Sequence, residues 1–206
     1  MVTSEQTALT AQEAAHGRVS IRRYVQGALS RAELEALLSA AAQAPSAYNV
    51  QPWRFVVVQE PDLKARLQEA AYGQPQVGAA PAVIVLYTDM QDVLAHADEL
   101  VSPETDAEKR AAFVAKVQEA YGGLDPQELE AFGTTQGGIV LGYLLLLAAS
   151  MGLGTSPMQG FDPERVRTLL GLPGHVRIPA LVAVGRPAEE GGVRHRHTLE
   201  RLVSWR

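Results

Sequence analysis

Ala44-Pro45-Ser46-Ala47-Tyr48-Asn49-Val50-Gln51-Pro52-Trp53-Arg54-Phe55 is the stretch on which the reading of this chain turns. Two prolines frame a loop that must hold an irregular path, because each fixes its own φ and lacks an N–H donor. Ser46 and Asn49 offer hydrogen bonds at defined points within it. On its N-terminal side, Ser30-Arg31-Ala32-Glu33 is a capping box, followed at helical spacing by Leu34, Leu37, Leu38 and Ala41. That helix must stop before Pro45, since the residue preceding a proline is pushed out of the helical region. On the C-terminal side, Arg54–Gln59 contains three consecutive valines and ends at Pro61, which predicts a strand. A plain turn before a strand explains the prolines but not the whole ordered set.

Further outward, Pro61-Asp62 opens a second expected helix running to about Ala71. Ala82–Thr88 is continuously apolar, as expected of a strand covered on both faces. Residues 90–124 are polar and charged, with helical stretches around Gln91–Leu100 and Ala107–Tyr121, and read as a surface excursion or lid. Ala131–Met151 reads as a helix that is apolar almost all round and rich in small residues. Such a helix calls for a large core or a partner chain against it. Asp162-Pro163-Glu164 starts a helix ending near Gly171, and Pro179–Val184 is the last expected core strand. Strands and helices are intermixed without strict alternation, so the expected class is α+β, a few-stranded mixed sheet wrapped by helices.

At 206 residues one compact domain is the default, read here as residues 13–206 behind a flexible tail of residues 1–12 that could also form a short helix. A formal charge of −5 argues against a nucleic-acid partner, which would call for a basic face. The chain has no cysteine, which excludes disulfides, thiolate metal sites and a Cys nucleophile and fits a cytoplasmic location. The apolar run Gly137–Gly154 is marginal in length for crossing a bilayer and has no basic flank, so a buried helix rather than a membrane span is expected. The five histidines have no metal-ligand spacing, and HExxH, GxSxG, Walker and GxGxxG motifs are missing.

Three arginines and a serine fall within six residues in Arg18-Val19-Ser20-Ile21-Arg22-Arg23. Guanidinium forks and hydroxyls are what a phosphate dianion requires, although the cluster by itself also fits a solvated basic patch. Together with Pro45-Ser46-Ala47-Tyr48-Asn49-Val50-Gln51-Pro52-Trp53, it resembles the signature segments of the FMN-dependent nitroreductase family, and the resemblance extends over nearly the whole chain. It implies a mainly antiparallel sheet, an intertwined homodimer and FMN held at the subunit interface.

By that resemblance Arg18 and Ser20 touch the phosphate and ribityl chain, and Arg22 reaches the pyrimidine edge. Val19 replaces a frequent second Arg. The loop carrying Pro45, Ser46 and Asn49 contacts FMN from the neighbouring subunit, while Gln51 and Trp53 are structural. Gln76, and less so Gln74, bonds ribityl or pyrimidine oxygens. Gly152–Phe161, with Pro157, Gln159 and Gly160, lies beside the ring, although a helix C-cap and turn also explains its glycines. Arg194 and Arg196 complete the phosphate site.

The implied activity is ping-pong hydride transfer from NADH or NADPH through flavin N5 to a small electron-poor acceptor: a nitroaromatic, a quinone or an enone. The flavin carries the chemistry and no side-chain acid or base is expected. The alternative is a flavin-binding carrier or sensor with no turnover of its own.

Overall fold

The computed structural model describes residues 9–206, and in chain order these form α1 (Ala11–Gly17), α2 (Arg31–Ala41), β1 (Trp53–Val58), α3 (Pro61–Ala70), α4 (Pro75–Ala79), β2 (Ala82–Thr88), α5 (Met90–Ala95), α6 (Ala107–Tyr121), α7 (Pro126–Ser150), β3 (Gly154–Met158), α8 (Pro163–Leu170), β4 (Arg177–Gly185) and α9 (Leu199–Leu202). Short 3-10 turns occupy Ala47–Asn49 and Ala97–Leu100. Residues 1–8 of the expected tail lie outside the described residues, while residues 11 and 12 already open α1, capped by Thr10 and Glu13.

The sheet runs β1-β2-β4-β3 with every neighbouring pair antiparallel. A single isolated parallel bridge joins Ser20 to Thr155 of β3. The alternation of β2 explains its unbroken apolar sequence. Ala82, Ile84 and Leu86 face a core shared with α2 and α7, and Val83 and Val85 face one shared with α3 and α8. The antiparallel sheet between helical layers is the α+β arrangement expected.

The sequence reading did not anticipate α4 or α9, and two further elements differ from it. The stretch read as a Gly-rich turn contains β3, which pairs Pro157 with Val182. An edge position explains this, since proline is tolerated where no ladder partner awaits its missing N–H. Helix α7 begins at Pro126 rather than near Ala131, because Asp125 accepts from the N–H groups of Gln127 and Glu128 and Pro126 fills the first turn.

Helix α7 lies tight on the sheet. A Cβ at Gly137 would come within 2.7 Å of Pro179 Cγ and 2.9 Å of Thr88 Cγ2. Val140, Leu144 and Ala148 are fully buried there, although over 25 residues the helix is long and apolar enough to cross a membrane by composition alone. Its other side is open within one chain: Thr135, Gly138, Ile139, Gly142 and Tyr143 are exposed. The excursion at 90–124 has a small core of its own, where Val117 and Tyr121 of α6 meet Val50, Met90 and Leu129.

Candidate functional site

The 18–25 segment is held as an extended strap across one end of the sheet. Ile21 N–H donates to Thr155 O (2.9 Å), Val25 N–H to Arg186 O (2.9 Å), and Ala188 N–H to Arg23 O (3.0 Å). The buried Tyr24 hydroxyl reaches both Ile21 O (2.6 Å) and Ala183 O (3.2 Å). Burial pushes that phenol well above its ordinary pKa, so it stays a donor. Glu189 Oε1 accepts from the backbone N–H groups of Arg22 (2.8 Å) and Arg23 (3.2 Å). These bonds, the Arg22 N–H foremost, hold its carboxyl below the usual range.

The strap lays Arg18, Ser20 and Arg22 against Arg194 and Arg196 around a cavity of about 250 Å³. Gly191 makes the approach possible. Its φ is +77°, and a Cβ there would sit 2.3 Å from Val19 Cγ2. Arg194 Nη1 donates to Ala15 O and Arg18 O, both at 2.8 Å, so this guanidinium locks the return segment onto the strap. Arg18 is held differently. Its Nη1 is buried without a partner among the described residues, and so is Thr155 Oγ1, whose residue bridges Ser20. Burial lowers the Arg18 pKa, and the charges of Arg194 and Arg196 lower it further. A buried, unpaired guanidinium donor among like charges fits an anion, and a phosphate dianion supplies both the acceptors and the opposite sign.

A second group lies toward the other end of β3. Gln74 Nε2 donates to Gly160 O (2.7 Å), and the buried Gln76 Nε2 donates to Gln74 Oε1 (3.0 Å) and meets Met158 Sδ at 3.2 Å. Gln159 is exposed, its amide 3.4 Å from Pro179 O, and Pro157 sits in the strand between the two groups. Thr155 at the cradle and Met158 at the amides are three residues apart, or roughly 10 Å along a strand.

The third group, Pro45–Asn49, is elsewhere. It precedes β1, whose Trp53 pairs with Thr88, itself opposite Arg177 at the start of β4, whereas Thr155 pairs with Val184 near the end of β4. Since β1 and β3 are opposite edges, the loop and the cradle occupy diagonal corners of the sheet, roughly 14 Å apart across it and 20 Å along it. The loop's polar groups are engaged locally. Ser46 Oγ accepts from Gln51 N–H (3.0 Å), Asn49 Nδ2 donates to Leu100 O (2.9 Å), and Gln51 Nε2 donates to Asn49 O (3.1 Å). Trp53 is buried in the core beside α2 and α7.

Sequence reasoning missed Tyr24, Thr155, Glu189 and Gly191. Only Gly191-Gly192 before Arg194 carried a readable signal, a sharp bend feeding a basic pair. It also missed a charged cluster with buried carboxylates where β2, β4 and α7 meet. There His175 Nε2 lies 2.9 Å from Asp89 Oδ1, and Arg177 Nε lies 3.6 Å from Glu130 Oε2. Burial pushes the Glu130 carboxyl up against the pull of Arg177 and His175.

The family described as Nitroreductase family matches residues 15–186 of the chain. A Thermus thermophilus protein named NADH dehydrogenase is 52% identical over 198 residues, 96% of this chain and 97% of that protein. A Bacillus subtilis protein that carries the provisional name NAD(P)H nitroreductase YdgI is 30% identical over 92% of this chain and 94% of its own length. A crystallised protein of Exiguobacterium sibiricum, assigned as a nitroreductase and bound to FMN, superposes with a TM-score of 0.88 at 27% identity, covering 98% of this chain and 99% of that one.

Proposed function

Because the chain belongs to the nitroreductase family, we propose that it acts as a homodimer in which each FMN is held by the cradle and amide groups of one chain and by the Pro45–Asn49 loop of the other. The protein is an NAD(P)H-dependent flavin oxidoreductase that uses FMN. Bound FMN supplies a two-electron relay, so that NAD(P)H, a proton and an electron-poor acceptor become NAD(P)⁺ and the acceptor reduced by two electrons and two protons. Alternation of reductant and acceptor at one open face makes the sequence ping-pong. Reduced pyridine nucleotide is a cytoplasmic currency, and we place the enzyme there.

In this reading Arg18, Ser20, Arg194 and Arg196 bind the phosphate. Gln76, with Gln74 holding it, addresses the ribityl chain or pyrimidine edge. The roughly 10 Å between the two groups suits a phosphoribityl chain and the near edge of a ring system. Arg22, exposed at the mouth of the cradle, contributes positive charge that favours an electron-rich ring. Pro157, Gln159 and Gly160 border the ring. The open side of α7 is the surface through which two chains meet, which brings a loop from one sheet corner to the distant corner of its partner.

The observation that carries this reading is that Arg18, whose buried Nη1 has no partner among the described residues, lines one cavity together with Arg22, Arg194 and Arg196. The first test is the visible spectrum of the purified protein, followed by anaerobic NADH or NADPH. A flavin band that bleaches supports the reading, and a colourless protein that takes up no FMN overturns it. Hybrid dimers test the shared site. An Arg18→Ala/Arg196→Ala chain mixed with an Asn49→Ala/Ser46→Ala chain should regain one working site per dimer, and no regain would refute the two-chain assembly.

A further inference from the structure

We propose that Tyr48 sets acceptor specificity, its ring forming an aromatic wall against which flat, electron-poor arenes stack in preference to compact acceptors. The inference rests on the two-chain flavin site above, and it names the acceptor class that this site favours.

Among the described residues the non-glycine residues at positive φ are Tyr48 (52°), Asn49 (55°), Gln51 (41°) and Tyr72 (56°). Three of the four fall in one loop. Left-handed backbone is costly for residues with a Cβ and persists only where the surroundings over-determine it. Here they do. Ala47 N–H is bound by Gln136 Oε1 of α7 (3.1 Å), Ser46 Oγ ties back to Gln51 N–H, and the Asn49 amide is fastened to Leu100 O of the excursion. The loop is rigid at the point where a binding surface must be placed.

The consequence of that backbone is an aromatic ring in an unusual position. Tyr48 is 48% exposed, whereas Tyr121, against which it stands at 5.8 Å and 88°, is 7% exposed. Tyr121 is in turn seated on Phe132 at 4.6 Å. The buried Tyr121, backed by the half-buried Phe132, thus buttresses a third ring from one side and leaves the rest of it open. A simple core aromatic would be covered, and Tyr72, the other tyrosine on left-handed backbone, is 71% exposed with no ring packed against it among the described residues. Tyr48 lies between Ser46 and Asn49, the residues assigned to the partner's flavin. An open aromatic surface next to a flavin favours planar arenes such as quinones and nitroarenes through offset stacking, and gives little to an acceptor with no π-face.

The test uses the FMN-loaded enzyme with Tyr48→Ala and Tyr48→Phe. FMN occupancy and bleaching by NADH are recorded first, and acceptor use is recorded separately. The expected result is that kcat/KM for a naphthoquinone relative to that for ferricyanide, which needs no stacking, falls about tenfold in Tyr48→Ala and is kept in Tyr48→Phe. Equilibrium binding of 2-naphthoate, a flat arene that cannot be reduced, should weaken in parallel. A ratio and a naphthoate affinity unchanged in Tyr48→Ala would overturn the inference while leaving the flavin site intact. A wild-type protein that neither holds FMN nor bleaches would overturn the site itself, and this inference with it. Should Tyr48→Ala fail to fold, Tyr48→Leu keeps the bulk without the π-system and must show the same loss of ratio.

Discussion

Arg18→Ala should move two properties in opposite directions. In the free protein Arg18 has a buried donor without a partner among the described residues, beside the positive charges of Arg194 and Arg196. An unsatisfied buried donor costs about 1–3 kcal/mol, so its removal offsets the packing lost with the side-chain stem. The backbone contacts survive, because Arg194 bonds the Arg18 carbonyl and the Arg18 N–H bonds Ala14 O. We expect the FMN-free variant to be as stable as the parent or more stable by about 1 kcal/mol, a rise of roughly 2–4 °C in its unfolding midpoint for a chain of this size. FMN affinity should fall, since one charge-assisted bond to phosphate is worth about 1.5–3 kcal/mol, or roughly 10–150-fold in Kd. Calorimetry of the FMN-free protein gives the first quantity, and titration with FMN, read by quenching of its fluorescence, gives the second. The reasoning fails if the FMN-free midpoint drops by more than about 4 °C or if Kd stays within about threefold. Either result would make Arg18 a structural residue rather than one held ready for an anion.

Other changes test other parts of the argument. Arg22→Ala should retain FMN but slow its reduction by NADH in stopped-flow, and an unchanged rate would remove Arg22 from its electrostatic role. Gly137→Ala should destabilise by about 1–3 kcal/mol in urea unfolding, because its methyl would meet Pro179 and Thr88 at under 3 Å. The Glu33 carboxyl is drawn down to about 2 by the Ser30 hydroxyl, then by the Ser30 N–H and Arg186. Its depressed pKa contributes stability above the ordinary carboxylate value that is lost as pH falls from about 4.5 toward about 2. Glu33→Gln should therefore flatten that part of the acid unfolding profile, and an identical profile would contradict the assignment.

Most local elements were legible in the sequence, and the ligand came from its resemblance to the nitroreductase family. Ser30–Glu33 marks a helix start, Pro163 marks another, and Ala82–Thr88 reads as a doubly covered strand, because caps and short apolar runs are written in neighbouring residues. The arginines at 18 and 22 and at 194 and 196 fitted either a solvated basic patch or an anion site, and only the resemblance to the nitroreductase family pointed to phosphate. Which of these residues meet follows from the folded chain alone. That Arg194 locks onto Arg18 O, that Gly191 permits the approach, and that Tyr24 anchors the strap are contacts between residues more than a hundred positions apart. Strand order also puts the Pro45–Asn49 loop at the corner of the sheet diagonal to the cradle. No local pattern encodes that distance, because it follows from how four strands share one sheet and from which side of α7 that sheet leaves open.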